Sequence, residues 1–235
     1  MIVTAILPAA GLGLRLQSWI PKPLVPIGAK PILIYTLEAL SKERRIHHIL
    51  IAVAKKNWDG FKAVLRKNKI GNRVTLVLGG KTRRESVEHC LSFVSPESDR
   101  VLIHDAVRPF IPASLLKALL QKAEKNPAVI CGVPVKATIK QATSHVSAVT
   151  RNLTVAKTLP RDRLWEIQTP QVFEKDLLRK AYARCKDNAV TDDAALVEKL
   201  GVKVRIVRGE YCNIKITTPE DLAFAKAILK ITRVK

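Results

Sequence analysis

Short runs of apolar residues alternate along this chain with longer segments whose apolar residues recur every three or four positions. The runs predict strands at residues 2–7, 49–53, 74–78, 101–104 and 128–133, and the longer segments predict helices at about 32–41, 58–68, 83–93 and 112–124. Strands that are apolar throughout, with helices between them, are typical of a parallel sheet covered on both faces. The pattern therefore predicts an α/β fold with a doubly wound, mostly parallel sheet.

Residues 135–160 break this rhythm. Thr, Val and polar residues alternate there with no helical period, which predicts a β-hairpin that protrudes from the main sheet. A chain of 235 residues can bury a full core without disulfides. We interpret residues 1–235 as a single domain with a β-arm inserted at about 135–160.

Two glycines and two basic residues follow the first predicted strand. Gly11 and Gly13 would let backbone amides approach a polyphosphate, and Arg15 and Lys22 would place positive charge against it. The loop runs for about twenty residues without predicted structure of its own, a length typical of functional loops. Leu16 replaces the third glycine of the dinucleotide-binding fingerprint, and the loop after the first predicted strand has no Gly-Lys-Ser/Thr of a P-loop. The alternative to a phosphate site is a plain turn.

The strong positive charge has two readings. A net charge of +21 is common in nucleic-acid-binding proteins. However, the basic residues are spread along the chain, aromatic residues make up 5%, and no zinc-finger, helix-turn-helix or RNA-binding motif is present. The sequence therefore favours a solvated basic surface with an anionic substrate over a nucleic-acid partner.

Cysteine spacing and hydropathy indicate the compartment. Cys90, Cys131, Cys185 and Cys212 are far apart and form no CxxC pair, which favours a reducing cytoplasm over a disulfide framework or zinc site. The longest apolar runs are strand-sized, so we expect no membrane span. The first residues lack the basic segment of a signal peptide and lead directly into the glycine loop. We expect a cytoplasmic protein.

A series of motifs runs along nearly the whole chain. The motifs are AAGLGLR (9–15) with PKP (21–23), GGKTRRESV (79–87), HDAVRPF (104–110), PVKATIK (134–140), LWEIQTPQVF (164–173), TDDAALVE (191–198) and NIKITTPEDL (213–222). In content and order this series resembles one enzyme family, the 2-C-methyl-D-erythritol 4-phosphate cytidylyltransferases, within the pyrophosphate-releasing sugar nucleotidyltransferases. The resemblance implies a Rossmann-like nucleotidyltransferase fold and transfer of CMP from CTP to methylerythritol phosphate in the non-mevalonate isoprenoid pathway.

The resemblance also implies the catalytic groups. Arg15, Lys22 and Lys215 match the family's catalytic cations. Asp105 follows an apolar run, at the strand end where ligands gather in open α/β sheets, and matches the ligand of Mg²⁺. Cys212 stands where the family often has a second acidic residue, and a thiolate is a poor Mg²⁺ ligand. Asp105 is therefore expected to be the sole direct protein ligand.

Nucleotide binding is implied for small residues around two glycine turns. The implied CTP-binding residues are Ala9, Ala10, Gly11, Gly13, Gly79, Gly80 and Ser86. We expect the alanine and glycine pairs to be small so that the cytosine can approach closely. The Ser86 hydroxyl has a second interpretation, because a serine in the first turn of a helix often bonds to the local backbone.

Arg108, Thr138 and Arg161 are the implied contacts of the polyol phosphate, with Arg161 binding its phosphate as a fork. In the family, the arm carrying the last two exchanges between two subunits, so a homodimer is expected. Ala137 stands where the family usually has an aspartate that binds substrate hydroxyls. This departure weakens the substrate assignment more than the reaction class.

Two other functions compete with this interpretation. The sister family of ribitol 5-phosphate cytidylyltransferases shares several motifs, although PVKATIK and TDDA favour methylerythritol phosphate. A basic RNA-binding protein on the same fold is the alternative from another class. The five histidines have no metal-ligand spacing, so we expect them to be structural or exposed.

Helix-capping signals flank the motifs. Thr82 with Glu85, and Thr218 with Asp221, form capping boxes. Thr191 is a candidate N-cap of the helix that starts at the TDDA motif.

Overall fold

The computed structural model shows alternating strands and helices and describes residues 1–11, 20–143, 154–185 and 192–233. The strands in these ranges are β1 (Val3–Pro8), β2 (Pro26–Ile27), β3 (Lys30–Pro31), β4 (Ile46–Val53), β5 (Val74–Leu78), β6 (Arg100–Ile103), β7 (Ala128–Pro134), β8 (Ile139–Ala142), β9 (Val155–Leu159), β10 (Trp165–Glu174) and β11 (Arg205–Arg208). The helices are α1 (Ile32–Ser41), α2 (Trp58–Lys67), α3 (Arg83–Ser92), α4 (Ala113–Glu124), α5 (Lys175–Arg184), α6 (Asp193–Glu198) and α7 (Pro219–Arg233). None of them is both long and apolar enough to span a bilayer.

Seven strands form the main sheet, in the order β11-β7-β10-β6-β1-β4-β5. β1 is parallel to β4 and β6, β4 is parallel to β5, and β7 is parallel to β11. β10 lies antiparallel between β6 and β7. The predicted doubly wound, mostly parallel sheet is confirmed, as are the five predicted strands and four predicted helices.

Apolar clusters cover both faces of the sheet. Ala5 and Leu7 of β1 pack on one face with Leu37 of α1, whereas Ile6 packs on the other face with Val87 of α3. All of these side chains are fully buried. Because successive strand residues point to opposite faces, a strand covered on both sides must be apolar at every position. This is why the first strand is a continuous apolar run.

The strand order creates a crevice between β1 and β6. The chain leaves β1 through α1 to β4 on one side, and it leaves β6 through α4 to β7 on the other side. Connections that diverge from adjacent parallel strands open a crevice at their carboxyl ends, where α/β proteins bind ligands. The glycine loop after β1 and Asp105 after β6 both begin at this crevice.

The second half of the loop after β1 is structured, contrary to expectation. A short 3₁₀ helix at Lys22–Leu24 is followed by the β2–β3 hairpin, whose turn contains Gly28 at φ +66°. This is the left-handed region that favours glycine. Val25 and Ile27 of this segment pack against Ile216. The cluster therefore fixes the segment bearing Lys22 next to the one bearing Lys215.

The central strand β10 was not predicted. Its sequence was recognised only as a motif, and Pro170 argues against a central strand because proline cannot donate to the ladder. The pairing with β7 shifts register between Gln168 and Gln171. Proline is tolerated at such irregularities. β10 therefore keeps its central place despite Pro170.

β8 and β9 form a separate antiparallel pair, as predicted for the arm. Most of their residues are exposed, including Val155. The interpretation of the whole chain as one domain with this arm as an insertion remains a prediction.

Two of the three predicted caps are confirmed. The Thr82 hydroxyl accepts from the Glu85 N–H at 3.0 Å, and Asp221 accepts from the Thr218 N–H at 2.9 Å. The prediction for Thr191 was wrong. The N-cap of α6 is Asp192, whose carboxylate accepts from the Ala195 N–H at 3.0 Å, and Thr191 itself lies outside the described residues. Aspartate and threonine are both good caps, so the TDDA sequence alone left the choice ambiguous.

Candidate active site

Asp105 lies at the carboxyl end of β6 with two cations on one of its oxygens. Its Oδ2 accepts from Arg108 Nε at 3.1 Å and lies 3.0 Å from Lys215 Nζ. The residue is 7% exposed. Burial by itself would raise the pKa of this carboxyl, but Lys215 and Arg108 outweigh burial and hold the pKa at about 2. Asp105 is therefore an anion at any physiological pH.

The other oxygen of Asp105 is suited to a metal ion. Within the described ranges, no hydrogen bond or ion pair involves Oδ1. The same ranges contain no group of three or more acidic, histidine or cysteine side chains that could hold a metal ion without a substrate. A single carboxylate is enough for Mg²⁺, which takes its remaining ligands from water and substrate phosphates. The residues present thus fit Mg²⁺ bound with a phosphorylated substrate, with Asp105 as the candidate protein ligand.

Two clefts meet at Asp105. The first cleft, of about 290 Å³, is lined by Ala10, Gly11, Gly80, Ser86 and other residues after β1, β5 and β6. The second cleft, of about 510 Å³, extends over β10 towards α6 and includes Arg108 and Thr169 in its walls. Asp105, Arg83 and Lys215 line both clefts. A molecule in the first cleft can therefore meet a molecule in the second beside this carboxylate.

The residues with the predicted nucleotide role lie at two depths. Ala10, Gly11, Gly80 and Ser86 line the first cleft. Ala9 and Gly79 lie behind them, where their N–H groups donate to Ala52 at 2.8 Å and to Val53 at 2.9 Å. Gly13 lies outside the described residues.

The structure gives a different reason for the two glycines than the one expected. A Cβ on Gly79 would lie 2.4 Å from the Ala10 Cβ, and one on Gly80 would lie 2.2 Å from the Glu85 Cβ. Real Cβ atoms do not approach so closely, so packing within the protein already requires glycine at both positions. Closeness to a base is not needed to explain them.

Ser86 makes the local bonds of the alternative interpretation. Its hydroxyl donates to the Thr82 carbonyl at 2.9 Å and accepts from the Gly80 N–H at 3.1 Å. The hydroxyl thereby fixes the Gly80 turn at the wall of the first cleft. A role in base recognition remains a prediction.

Two of the three predicted catalytic cations, Lys22 and Lys215, lie within the described residues. Lys22 is buried, and its Nζ donates to the Thr217 carbonyl at 2.9 Å. This bond joins the loop after β1 to the segment that carries Lys215, whose side chain is 40% exposed. Arg15 lies outside the described residues.

The predicted contacts of the second substrate are dispersed. Arg108 contacts Asp105 and also donates to the Asn213 carbonyl at 2.8 Å. Thr138 is exposed on the arm, and Arg161 donates to the Lys136 carbonyl at 2.6 Å. In the described part of this chain, neither arm residue is hydrogen-bonded to the Asp105 cluster. Arg108 therefore joins the cluster, and the other two do not within one chain.

Arg83 is a site residue that the sequence analysis missed. It lines both clefts, and its Nη2 donates to Asp193 at 2.6 Å. Asp193 is 1% exposed and also accepts from the Tyr182 hydroxyl. Burial by itself would lower the pKa of Arg83, but the Asp193 carboxylate raises it. Arg83 in GGKTRRESV and Asp193 in TDDA both belong to motifs that the sequence analysis noted. Their ion pair spans 110 positions of the chain, and no local pattern predicts it.

Comparisons with known proteins agree with the motifs. The family model of 2-C-methyl-D-erythritol 4-phosphate cytidylyltransferase (IspD) matches residues 3–231. A protein of this name from Bacillus cytotoxicus is 38% identical over 232 residues, which cover 98% of this chain and 99% of the relative. One from Solibacter usitatus is 39% identical over 239 residues, which cover 98% and 96%.

Solved structures show the same likeness. The 4-diphosphocytidyl-2C-methyl-D-erythritol synthase of Anaerococcus prevotii superposes with a TM-score of 0.81 at 35% identity, covering 97% of this chain and 98% of that one. The 2-C-methyl-D-erythritol 4-phosphate cytidylyltransferase of Thermus thermophilus superposes with a TM-score of 0.78 at 31% identity, covering 98% and 100%.

The mostly parallel sheet, the two clefts at the carboxyl ends of its strands and these matches together define a nucleotidyltransferase of the α/β class. The family model covers nearly the whole chain, and the relatives match end to end. The chain belongs to the 2-C-methyl-D-erythritol 4-phosphate cytidylyltransferase family, which confirms the resemblance found in the motifs.

Proposed function

We propose that this protein transfers CMP from CTP to 2-C-methyl-D-erythritol 4-phosphate, releasing pyrophosphate and forming 4-diphosphocytidyl-2-C-methyl-D-erythritol for isoprenoid precursor synthesis. The observation that carries the proposal is the ionised carboxylate of Asp105 at the junction of two clefts, beside Lys215 and Arg108. The first cleft, walled by glycine turns, takes CTP. The second cleft takes the polyol phosphate.

The reaction brings anions together, so its main requirement is positive charge in fixed positions. A phosphate oxygen of the polyol substrate attacks the α-phosphorus of CTP. The bond from that phosphorus to its bridging oxygen breaks, and pyrophosphate leaves with the electron pair. Lys22, Lys215 and Arg15 stabilise the charge on the α-phosphate and the leaving group. Mg²⁺ on Asp105, when bound, neutralises part of the phosphate charge.

Catalysis here is therefore positioning and electrostatics. The protein forms no covalent bond to the substrate in this scheme. Arg108 orients the polyol substrate and holds Asp105 at the same time, since its guanidinium reaches both the carboxylate and the second cleft.

A pyrophosphate-release assay tests the substrate and reaction class together. With CTP and Mg²⁺, methylerythritol phosphate is expected to turn over at least about tenfold faster than ribitol 5-phosphate, because a site built for one polyol leaves polar groups unpaired with the other. EDTA is expected to abolish the release. Faster turnover of ribitol 5-phosphate would overturn the substrate assignment. RNA binding with a steep salt dependence and no turnover of either polyol would overturn the enzyme assignment.

We also propose that the active form is a homodimer in which the arm completes the partner's site. A two-stranded hairpin is marginally stable in water by itself, and β8 and β9 pair only with each other among the described strands. Arg161 at the base of this arm is exposed and makes no ion pair with the Asp105 cluster of its own chain. A two-fold dimer is the commonest closed assembly and would cover the arm.

Mixing two inactive variants tests this shared site. Lys22→Ala and Arg161→Ala are each expected to be inactive, and a mixture that exchanges subunits is expected to regain about a quarter of wild-type activity, because about half of the dimers are mixed and each has one intact site. Exchange is verified by native mass spectrometry with one labelled partner. A mixture that exchanges but stays inactive would place both residues in the same chain's site.

The proposed compartment is the cytoplasm. All four cysteines are free thiols in the structure, and Cys90 and Cys131 are buried in the core. Free thiols persist in reducing compartments.

A further inference from the structure

A buried histidine lies directly behind the reactive carboxylate. His104, the residue before Asp105, is fully buried. Its Nε2 is 3.0 Å from the Arg108 carbonyl, and its Nδ1 is 2.9 Å from the Thr169 hydroxyl. The same hydroxyl accepts from the Asp105 N–H at 3.0 Å. One imidazole and one hydroxyl thus connect both ends of the turn from Asp105 to Arg108.

The protons of this network can be assigned completely. A carbonyl oxygen can only accept, so Nε2 carries a hydrogen and donates to Arg108. Full burial favours the uncharged ring, whose second nitrogen, Nδ1, can only accept. The Thr169 hydroxyl must then donate to Nδ1, which leaves its lone pair for the Asp105 N–H. Each donor in this hydrogen-bond network then has one acceptor.

We propose that His104, acting through Thr169, is a positioning residue that holds the Asp105–Arg108 turn in its catalytic geometry. The catalytic consequence rests on the proposed function, but the structural consequence does not. The turn is also closed by the Arg108 N–H, which donates to the Asp105 carbonyl at 3.0 Å. With its backbone held at both ends, the turn aims Arg108 Nε and Asp105 Oδ2 at each other.

Precise positioning matters here because the same carboxylate serves several partners. Asp105 must meet Arg108 and Lys215 on Oδ2 while it presents Oδ1 to the metal. A misplacement of about 1 Å can lower a rate about a hundredfold when catalysis depends on orientation. His104 is fully buried and lines neither cleft, so it acts on the site only through the turn and Thr169.

Removing either half of the network tests the proposal. Thr169→Val keeps the shape of the side chain and deletes the hydroxyl, and His104→Leu deletes both ring contacts. Each is expected to lower kcat about tenfold to a hundredfold and to raise the half-saturating Mg²⁺ concentration at least about threefold, with KM for CTP within about twofold. The double variant is expected to be no more than about threefold worse than the worse single variant, because the two groups act as one unit.

A matched control separates positioning from general destabilisation. Thr4 is buried, like Thr169, and shares a 2.6 Å hydrogen bond with Ser98 near the opposite end of the sheet. Thr4→Val removes the same group and is expected to lower the thermal midpoint while kcat stays within about twofold of wild type. Thr169→Ser keeps the hydroxyl and is expected to restore at least about a third of the kcat lost in Thr169→Val.

Hydrogen exchange of the Asp105 amide gives a readout that needs no activity. Thr169→Val is expected to speed its exchange at least about tenfold, whereas Thr4→Val leaves it unchanged. An inactive wild-type enzyme would contradict the proposed function. The exchange rate of the Asp105 amide would then still show whether the His104–Thr169 network holds the turn. The positioning role is wrong if Asp105 exchange is unchanged in Thr169→Val, if its kcat stays within about threefold of wild type, or if Thr169→Ser loses as much as Thr169→Val.

Discussion

Replacing Lys22 with alanine is expected to lower kcat at least about a hundredfold, the scale of losing a preorganised charge contact in the transition state. Lys22 is the only buried lysine among the described residues and donates to the Thr217 carbonyl, so its ammonium is fixed before the substrate arrives. Affinity for CTP is expected to change much less, because the charge is needed mainly as pyrophosphate leaves. Steady-state kinetics and nucleotide titration measure the two effects separately.

The chain provides a matched control in a second Lys-Pro sequence. Lys30 also precedes a proline in the same loop, but it pairs with Glu38 at the surface, where both side chains are 40% exposed. Lys30→Ala is expected to keep kcat within about twofold, since such surface pairs contribute little. Arg15→Ala is expected to lower kcat as far as Lys22→Ala does. If both Lys22→Ala and Arg15→Ala kept near-normal kcat, the loop would be a simple turn.

The order of strands and helices was predictable because local patterns determine it. The residues of α1 were predicted without error, since the apolar positions of a helix against a sheet recur with the helical period. The strand β5 was also predicted with its observed ends. β10 was not, because its proline is tolerated only through a shift of register with β7, and that shift is a property of the assembled sheet.

Within the site, residues adjacent to strand ends were predictable, and pairs from distant motifs were not. Asp105 follows β6 directly, so its place at the crevice follows from topology. The pairing of Arg83 with Asp193 depends on how α3 and α6 pack on the same face of the sheet. The role of Thr169 depends on β10 lying beside β6. Such contacts arise from the tertiary structure, and local sequence patterns do not predict them.

Replacing Asp105 with asparagine is expected to lower kcat at least about a hundredfold and to increase the need for Mg²⁺, because the neutral amide is a poor ligand for a hard cation and no longer balances Lys215 and Arg108. The exposed carboxylate of Asp176, in the first turn of α5, provides a control. Asp176→Asn is expected to leave kcat within about twofold of wild type. Near-normal turnover of Asp105→Asn over a full Mg²⁺ titration would show that Asp105 does not hold the metal.

The same substitution has a signature in stability that does not depend on catalysis. The folded protein holds the pKa of Asp105 at about 2, below the ordinary value of 3.8. The ionised carboxylate therefore stabilises the fold at pH values above the ordinary pKa. This contribution is lost as the pH falls towards 2. The full contribution is about 2 kcal/mol, and about half of it disappears between pH 6 and pH 3. Urea unfolding of metal-free protein at these two pH values should therefore show the wild-type free energy of unfolding falling about 1 kcal/mol further than that of Asp105→Asn. An equal fall in the two proteins would mean that Lys215 and Arg108 do not stabilise the carboxylate in solution, and the charge arrangement proposed for catalysis would lose its basis.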